Sequence, residues 1–227
     1  MIAIITARGG SKRIPKKNIK DFLGKPIISY SINAAKESGL FDKVMVSTDS
    51  EEIKDVALKY GVEVPFMRSE KTSNDFATTR AVLLEVISEY KNIGIEFKEF
   101  ACIYPTAPFL SGKLLIDAYN RFKNEDASEL IPIVKFSFPP QRAFVVKDKY
   151  LDLFDKNSFV KRSQDLEPLY HDCGQFYFYK TKDFLDSTEL ILNNTVGFEM
   201  NELYVQDIDT LEDWHIAEMK YEIINSR

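Results

Sequence analysis

Segments rich in valine and isoleucine alternate along this chain with segments in which apolar residues recur at helical spacing. This alternation is the sequence sign of parallel strands joined by crossover helices, so it predicts an α/β fold with a mostly parallel sheet flanked by helices. A chain of 227 residues lies within the range of one α/β domain. We therefore expect a single domain over residues 1–227.

The predicted strands cover residues 2–6, 43–48, 62–66, 100–104, 130–134 and 175–179. Helices are predicted after Pro26, after the capping residue Ser50, over residues 82–90 and 111–123, and after Thr210, because apolar residues recur there at spacings of three and four. From residue 136 to residue 170 the pattern changes to short aromatic pieces separated by polar stretches. We interpret residues 136–170 as an insertion that leaves the main sheet.

Charge and composition exclude several classes of protein. The formal net charge of −5 opposes general binding to nucleic acid, because affinity for a phosphate backbone rests on a basic surface. No run approaches the roughly 20 apolar residues that span a bilayer, and Met1 leads directly into an apolar strand, so we expect no membrane segment and a cytoplasmic location. Cys102 and Cys173 lack neighbours at metal-ligand spacing and are predicted to be free, buried thiols.

The loop after the first strand is the most informative segment. It contains six basic residues and no acidic one, in a chain that is acidic overall: Arg8, Lys12, Arg13, Lys16, Lys17 and Lys20. Gly9 and Gly10 allow backbone N–H groups to face a ligand, and open α/β sheets bind ligands at the carboxyl ends of their strands. The loop therefore predicts a phosphate site, with a solvated basic loop as the alternative. It matches neither the P-loop pattern nor the G-x-G-x-x-G dinucleotide pattern.

The same loop carries a family resemblance. The segments Ala7 to Lys12, Ile14-Pro15 and Lys17-Asn18 resemble the signature of the acylneuraminate (CMP-sialic acid) cytidylyltransferases. Three later segments resemble that family's motifs in the same order: Val46-Ser47-Thr48-Asp49, Pro105-Thr106-Ala107-Pro108 and Asp207-Ile208-Asp209. Within the family, residues 162–166 and 170–177 are most similar to the pseudaminic acid cytidylyltransferases. The likeness covers essentially the whole chain.

The resemblance implies a Rossmann-like fold of the nucleotide-diphospho-sugar transferase type. It also implies transfer of CMP from CTP to the anomeric hydroxyl of a nine-carbon acidic sugar, with release of pyrophosphate. Such a transfer requires positive groups that meet the charge growing on the phosphate oxygens. The implied nucleotide-binding residues are Ala7, Arg8, Gly9, Gly10, Ser11, Lys12, Lys17, Asn18, Arg68, Thr78 and Thr79, and the implied catalytic residues are Arg8, Lys12, Lys17, Asp207 and Asp209. The alternative role for Thr78 and Thr79 is to cap a helix, and Arg68 is alternatively interpreted as a surface charge.

Asp207 and Asp209 match the family's metal-binding carboxylates. Mg²⁺ is the expected cofactor, with Mn²⁺ as a substitute, because Mg²⁺ takes oxygen ligands and bridges carboxylates to substrate phosphates. Without the resemblance, Asp209 is equally well interpreted as an acid that caps or opens the final helix. The sequence assigns neither the general base nor the number of metal ions.

The residues implied to contact the sugar are Tyr104, Thr106, Arg162, Gln164, Tyr170, His171, Gly174 and Gln175. Arg162 is the first candidate to bind the sugar carboxylate with both nitrogens of its guanidinium, and Arg142 is the second. Many sialic acid members have a glutamine where this chain has Tyr104. Sialic acid is therefore disfavoured as the substrate and pseudaminic acid is preferred, although Tyr104 is also interpretable as a packed aromatic at a strand end.

Several alternatives stay open at this stage. N-acetylneuraminate and legionaminate are alternative sugars, and the sequence does not define the stereoisomer, the N-acyl pattern or the surface glycan made from the product. A nucleotide-sugar glycosyltransferase and a non-catalytic nucleotide-binding protein are alternatives of other classes. The aromatic residues of 136–170 cannot all be buried within so short an extension, and family members dimerise through this region. We therefore predict a homodimer in which the insertion reaches toward the neighbouring site.

Overall fold

A computed structural model of the chain describes residues 1–226. Its strands are β1 (Ile2–Thr6), β2 (Asp21–Phe22), β3 (Lys25–Pro26), β4 (Lys43–Ser47), β5 (Glu99–Ile103), β6 (Glu129–Lys135), β7 (Phe144–Lys147), β8 (Tyr150–Leu153), β9 (Tyr170–Asp172), β10 (Phe176–Lys180) and β11 (Thr195–Glu199). Its α-helices are α1 (Ile28–Ser38), α2 (Glu51–Lys59), α3 (Glu70–Ser73), α4 (Thr79–Asn92), α5 (Gly112–Asn124), α6 (Lys156–Phe159), α7 (Thr181–Asp186) and α8 (Leu211–Asn225). Short 3-10 helices lie at Lys17–Ile19, Pro140–Arg142, Ser163–Asp165 and Glu202–Tyr204.

The α/β fold with flanking helices is confirmed, and the main sheet is mixed. Its strand order is β11-β6-β10-β5-β1-β4, with β9 paired to β6. The strands β4, β1 and β5 run parallel, as do β6 and β11, whereas β10 runs antiparallel to both of its neighbours and β9 runs antiparallel to β6. Strands β9 and β10 run in the same direction along β6, because the chain returns to the sheet at the end of β6 where it left, without a crossover helix.

Most predicted elements are confirmed, but the strand predicted over residues 62–66 is wrong. This segment forms a single bridge to β4, between Met45 and Glu63. Pro65 follows two residues later and has no N–H to donate to a ladder, so regular pairing ends there. Two strands of the main sheet, β9 and β11, were not predicted, and β9 begins at Tyr170, the last residue of the predicted insertion. Both cysteines are free and buried, as predicted.

The core lies on both faces of the sheet. Alternate residues of β1 point to opposite sides, as the twofold side-chain period of a strand requires. Ala3 and Ile5 pack in the cluster that contains Ile28, Ile32 and Leu115 of helices α1 and α5, whereas Ile2 and Ile4 pack in the cluster that contains Leu83, Val86 and Tyr90 of α4. The parallel strands are therefore buried on both faces.

A third cluster joins the end of the chain to its beginning. Trp214 of α8 is 1% exposed and meets Phe22 edge to face, with ring centroids 5.5 Å apart. Ile208, just before α8, and Ile14, in the loop after β1, are buried in the same cluster. This packing brings the acidic pair near residue 208 against the basic loop near residue 14.

Helices α1 and α5 approach closely at Gly112. A Cβ atom at this position would lie 2.8 Å from the backbone carbon of Glu37 and 2.8 Å from the backbone nitrogen of Ser38. We expect Gly112→Ala to lower the free energy of unfolding by about 1–3 kcal/mol, because overpacking forces the backbone to shift. Urea denaturation measures the change, with Asn120→Ala on the exposed side of α5 as the control. Equal stability of the two variants would contradict the close approach.

The predicted insertion forms a small sheet of its own. Strands β7 and β8 pair only with each other, and the backbone leaves the main sheet where Phe136 N–H donates to Leu169 O at 3.0 Å. Several large apolar side chains of this region are exposed: Phe138, Phe144, Val146, Leu151, Phe154 and Val160. The single-domain organisation and the dimerising role of residues 136–170 stay predictions. None of the helices within residues 1–226 has the length and apolar character to cross a membrane.

Candidate active site

A cavity of about 340 Å³ opens at the carboxyl ends of β1 and β5. The loop after β1 supplies its basic wall, the start of α4 its second wall, and the segment after β5 its floor. The lining residues are Thr6, Arg8, Ser11, Lys12, Arg13, Ile14, Lys17, Asn18, Arg68, Thr72, Asn74, Asp75, Ala77, Thr79, Val82, Tyr104, Pro105, Thr106 and Asp209. Five cationic side chains and two carboxylates therefore face one space, which suits an anion with several charges.

The basic loop is held by contacts with the neighbouring strand and with its own continuation. Gly9 N–H donates to Asp49 Oδ1 at 2.7 Å, and Asn18 Nδ2 donates to Arg8 O at 2.8 Å. A Cβ atom at Gly9 would lie 3.0 Å from Cβ of Ser50, so only glycine fits there without a shift. Asn18 is 5% exposed and therefore holds the loop from within. Ala7, Gly9 and Gly10 shape the loop but are not among the residues lining the cavity.

Arg68 and Thr79 line the first cavity, whereas Thr78 does not. Arg68 is 9% exposed, and its guanidinium donates to Ser47 Oγ at 3.1 Å and to Ser47 O at 2.7 Å. Burial lowers the pKa of its guanidinium, while the charges of nearby acids oppose this effect. Thr79 lines the cavity, whereas Thr78 caps α4 by accepting from Ala81 N–H at 3.1 Å. The capping alternative therefore applies to Thr78.

Asp209 lies in the cavity between two cations. Arg13 Nη2 donates to Asp209 Oδ1 at 2.7 Å, and Lys17 Nζ lies 3.6 Å from the same oxygen. The cap of α8 is Thr210, whose side chain and backbone exchange hydrogen bonds with Asp213. The alternative in which Asp209 caps this helix is therefore wrong, because the adjacent threonine already does so.

Asp207 lies two residues before Asp209. Partial burial and the charge of Asp209 raise the pKa of Asp207 above its ordinary value, and Lys17 opposes this rise. A cation between the two carboxylates would relieve both effects, and carboxylate oxygens are the ligands that Mg²⁺ prefers. Within residues 1–226, no three His, Cys, Asp or Glu side chains cluster closely enough to hold a metal ion. The pair would therefore need further oxygen ligands from a substrate or water.

A second cavity of about 480 Å³ adjoins the first and shares Thr79 and Tyr104 with it. Its lining residues are Thr78, Thr79, Arg80, Leu83, Tyr104, Glu129, Ile131, Ile133, Tyr170, His171, Asp172, Tyr177, Tyr179, Phe184, Glu189, Leu190, Ile191 and Leu192. The hydroxyls of Tyr104 and Thr79 lie 3.1 Å apart, and Tyr177 Oη donates to Asp172 Oδ2 at 2.7 Å. Burial raises the pKa of Tyr104, so its hydroxyl stays protonated.

The predicted sugar contacts are only partly brought together. Tyr104, Tyr170 and His171 line the second cavity, and Thr106 lines the first. Gln175 is 1% exposed and donates to Tyr204 O at 2.6 Å, so its side chain is buried behind the site. Neither Gln175 nor Gly174 lines either cavity.

Arg162 and Gln164 lie outside both cavities of their own chain. Arg162 Nε donates to Asp165 Oδ2 at 3.0 Å within the insertion. Arg142, the second candidate for the sugar carboxylate, donates to Ser163 Oγ at 2.9 Å in the same region and is likewise remote. Both arginines lie away from the cavities because they belong to the insertion, whose strands β7 and β8 pair with each other and not with the main sheet.

Two of the charged residues that line the first cavity were missed. Asp75 forms ion pairs with Arg8 and Lys12, and Arg13 forms an ion pair with Asp209. Asp75 belongs to no motif and is 67 residues from Arg8, so no signal in the sequence indicates it. Arg13 stood among the six basic residues of the loop, but its partner is 196 residues away.

The fold and the cavity together define an α/β protein with a cationic cavity at the carboxyl ends of its central strands. A family model described as "Cytidylyltransferase" matches residues 2–210. The chain belongs to the cytidylyltransferase family.

Individual relatives refine the comparison. Pseudaminic acid cytidylyltransferase of Campylobacter jejuni serotype O:2 is 42% identical over 98% of this chain and 96% of its own length. CMP-N,N'-diacetyllegionaminic acid synthase of Legionella pneumophila is 30% identical over 98% of this chain and 97% of its own length. N-acylneuraminate cytidylyltransferase of Streptococcus agalactiae serotype III is 31% identical over 94% of this chain and 51% of its own length.

Solved structures support the fold. A structure of CMP:2-keto-3-deoxy-manno-octonic acid synthetase complexed with CTP superimposes with a TM-score of 0.70 over 100% of this chain and 99% of its own, at 16% identity. The 4-diphosphocytidyl-2C-methyl-D-erythritol synthase of Anaerococcus prevotii gives a TM-score of 0.65 at 16% identity, over 97% of each chain. The Rossmann-like nucleotide-sugar transferase fold is therefore confirmed.

Proposed function

We propose that this protein transfers CMP from CTP to the anomeric hydroxyl of pseudaminic acid and releases pyrophosphate. The observation that carries the proposal is the convergence of the basic loop, the start of α4 and Asp209 on one cavity that opens into a second. The choice of sugar rests on the 42% identity to the relative named for pseudaminic acid, against 30% and 31% for the relatives named for legionaminic and neuraminic acids.

The triphosphate of CTP would lie against Arg8, Lys12, Arg13 and Lys17. These cations come from one loop that is fixed by backbone contacts, so their charges are in place before the nucleotide arrives. Fixed positive charge stabilises the negative charge that develops on the transferring phosphate and on the leaving pyrophosphate. Ser11 and Asn18 line the same wall and offer hydrogen bonds to phosphate oxygens.

Mg²⁺ is proposed to bind at Asp207 and Asp209, with Mn²⁺ as a substitute. When bound, the ion would neutralise phosphate charge and help to align the leaving group. The raised pKa of Asp207 supports the proposal, because it reflects partial burial of the carboxylate and then the charge of Asp209, and a cation would offset both effects. Lys17, whose Nζ donates to Ile208 O at 2.6 Å, links this pair to the phosphate wall.

The second cavity is proposed to hold the sugar. Pseudaminic acid carries methyl groups on its acyl substituents and its terminal carbon, and the cavity offers apolar surface from Leu83, Ile131, Ile133 and Leu192. Tyr104 lines both cavities, and Tyr177 lines the second one beside it, with the two ring centroids 5.6 Å apart. The two tyrosines are placed to bind polar substituents near the anomeric carbon.

The carboxylate of the sugar lacks an available cation in this cavity. Within residues 1–226, the charged side chains that line it are Arg80 and three acids, Glu129, Asp172 and Glu189. Arg80 is already used, because its Nη2 donates to Phe184 O at 2.7 Å and also to Ser187 O. We infer that a second copy of the chain supplies the cation, with Arg162 of the exposed insertion as the candidate.

The homodimer is expected to depend on the exposed apolar side chains of the insertion. Light scattering should give about twice the chain mass of 26.2 kDa for the wild type at micromolar concentration. Phe138→Asp together with Val160→Asp should give the single-chain mass, because both side chains are more than 80% exposed and a charge there opposes burial. Leu58→Asp on α2 is the control, since that side chain is 51% exposed outside the insertion. A monomeric wild type would contradict the dimer.

The proposed substrate is tested by supplying pseudaminic, legionaminic and N-acetylneuraminic acids in parallel with CTP and Mg²⁺. Initial rates of pyrophosphate release should give pseudaminic acid the highest kcat/KM by at least about tenfold. Legionaminic acid is a stereoisomer that would direct its methyl groups elsewhere, N-acetylneuraminic acid lacks the terminal methyl group, and one methyl group in a fitted apolar pocket is worth about 1–3 kcal/mol. A higher value for either of the other acids would replace the sugar but keep the reaction. Release with none of them would overturn the proposal.

A further inference from the structure

The cations proposed to bind the triphosphate already have an internal partner, Asp75. Arg8 Nη1 donates to Asp75 Oδ1 at 2.8 Å, and Lys12 Nζ forms an ion pair with Asp75 Oδ2. Lys12 and Arg8 hold the pKa of Asp75 below its ordinary value, so this residue is a carboxylate at neutral pH. One aspartate therefore engages two cations of the phosphate wall.

Asp75 is presented by a turn that other contacts hold in place. Asn74 Oδ1 accepts from Phe76 N–H at 2.9 Å, and Asn74 Nδ2 donates to Lys71 O at 2.9 Å. Ser69, which precedes α3, is fixed to α4, because its N–H and its Oγ donate to Glu85 at 2.8 Å and 2.7 Å. The turn between α3 and α4 is therefore ordered by its own hydrogen bonds, and it places the carboxylate of Asp75 at the wall of the cavity.

The position of this carboxylate makes it a competitor for the phosphates. The oxygens of a bound triphosphate would need the same N–H groups of Arg8 and Lys12 that Asp75 now uses, and two anions cannot share them without repulsion. A polyphosphate must therefore displace Asp75, and part of its attraction to the wall is offset by the ion pairs that it breaks. A ligand without these phosphates meets no such cost.

We propose that Asp75 is a specificity-determining residue that competes with polyphosphate for Arg8 and Lys12 and so weakens the binding of CTP and pyrophosphate. This inference rests on the proposed placement of CTP in the first cavity. Its consequence for the reaction is faster exchange, because Asp75 can return to Arg8 and Lys12 as pyrophosphate leaves. The cations remain paired throughout, and the product is bound less tightly than the basic wall alone would bind it.

The test measures binding of CTP, pyrophosphate and cytidine by calorimetry in the absence of sugar. Asp75→Asn keeps the size of the side chain and removes its charge. We expect it to bind CTP and pyrophosphate about three- to thirtyfold more tightly, as the loss of two partly exposed ion pairs would allow. Binding of cytidine should not change. Asp75→Ser, which also lacks the charge, should behave in the same way.

Two further variants separate the causes. Asp117→Asn removes the acid of the remote Lys113–Asp117 ion pair on α5 and should leave all three affinities unchanged. Arg8→Ala should lose most of the affinity for CTP and pyrophosphate; if it binds both like the wild type, the proposed nucleotide site is wrong. If Arg8→Ala weakens binding but the two Asp75 variants bind CTP as the wild type does or more weakly, the site stands and the inference about Asp75 is overturned.

Discussion

Replacing Asp207 by asparagine is expected to lower kcat/KM by about 10³-fold, which corresponds to about 4 kcal/mol of transition-state stabilisation. The substitution keeps the shape of the side chain and removes one of the two negative charges proposed to hold Mg²⁺. The pKa of Asp207 is raised by partial burial and by Asp209, so this carboxylate stands where a cation is favoured. Initial rates of pyrophosphate release at varied CTP and Mg²⁺ measure the effect.

The Tm of thermal unfolding tests the role of Asp207 and Asp209 without depending on turnover. Because the folded-state pKa of Asp207 is raised, the stability that its proton contributes is lost as the pH rises through that folded-state pKa. At neutral pH without metal, the Asp207→Asn protein should therefore unfold at a Tm equal to or above that of the wild type. Mg²⁺ should raise the Tm of the wild type and leave that of the variant nearly unchanged.

Asp213 offers a matched control for Asp207. Its carboxylate accepts from Thr210 N–H at 2.8 Å as part of the cap of α8. Asp213→Asn should lower the stability of the protein by about 1 kcal/mol and leave kcat/KM within a few-fold of the wild type. An Asp207→Asn protein that retains most of its activity, or equal losses of activity in both variants, would contradict the assignment of the metal site.

Replacing Lys17 by methionine is expected to lower kcat by about 10²–10³-fold, the usual loss when one preorganised donor to a developing negative charge is removed. Lys17 is 21% exposed, its Nζ donates to Ile208 O at 2.6 Å, and it lies 3.6 Å from Asp209 Oδ1. It is thus held at the junction of the phosphate wall and the acid pair. Single-turnover rates at saturating CTP separate this effect from weaker binding.

The neighbouring Lys16 is the control for Lys17. Lys16 has the same side chain, but it pairs with Glu52 on α2, is 65% exposed and does not line the cavity. Lys16→Met should therefore change kcat by less than about twofold, because exposed ion pairs contribute little. Similar losses in the two variants would show that the overall charge of the loop matters, and not the position of Lys17.

The fold was largely predictable where strands are short runs of β-branched residues bounded by polar loops, as in β1 and β4. Two strand assignments depended on partners that a local pattern does not reveal. Residues 62–66 are β-like in composition, but Pro65 limits them to one bridge with β4. Strand β11 was missed because Gly197 weakens its local signal, although glycine is needed there: a Cβ atom would lie 2.5 Å from Ile133 Cδ1.

The candidate site was predictable to the extent that its chemistry is contiguous in the chain. The basic loop follows a buried strand within a few residues, so its place at the edge of the sheet follows from elementary rules. Asp75 and the pairing of Arg13 with Asp209 depend on contacts across 67 and 196 residues, which only the folded chain reveals. Arg162 illustrates the opposite case, since its motif was found but its own chain holds it away from both cavities.

The central claim is tested most directly by identifying the product made from CTP and pseudaminic acid in the presence of Mg²⁺. Mass spectrometry and phosphorus NMR of the reaction mixture should detect pyrophosphate and a CMP-sugar phosphodiester in equal amounts, and both should form about 10³-fold more slowly with the Asp207→Asn protein. Intact CTP, or hydrolysis of CTP without a phosphodiester to the sugar, would contradict the proposed cytidylyl transfer.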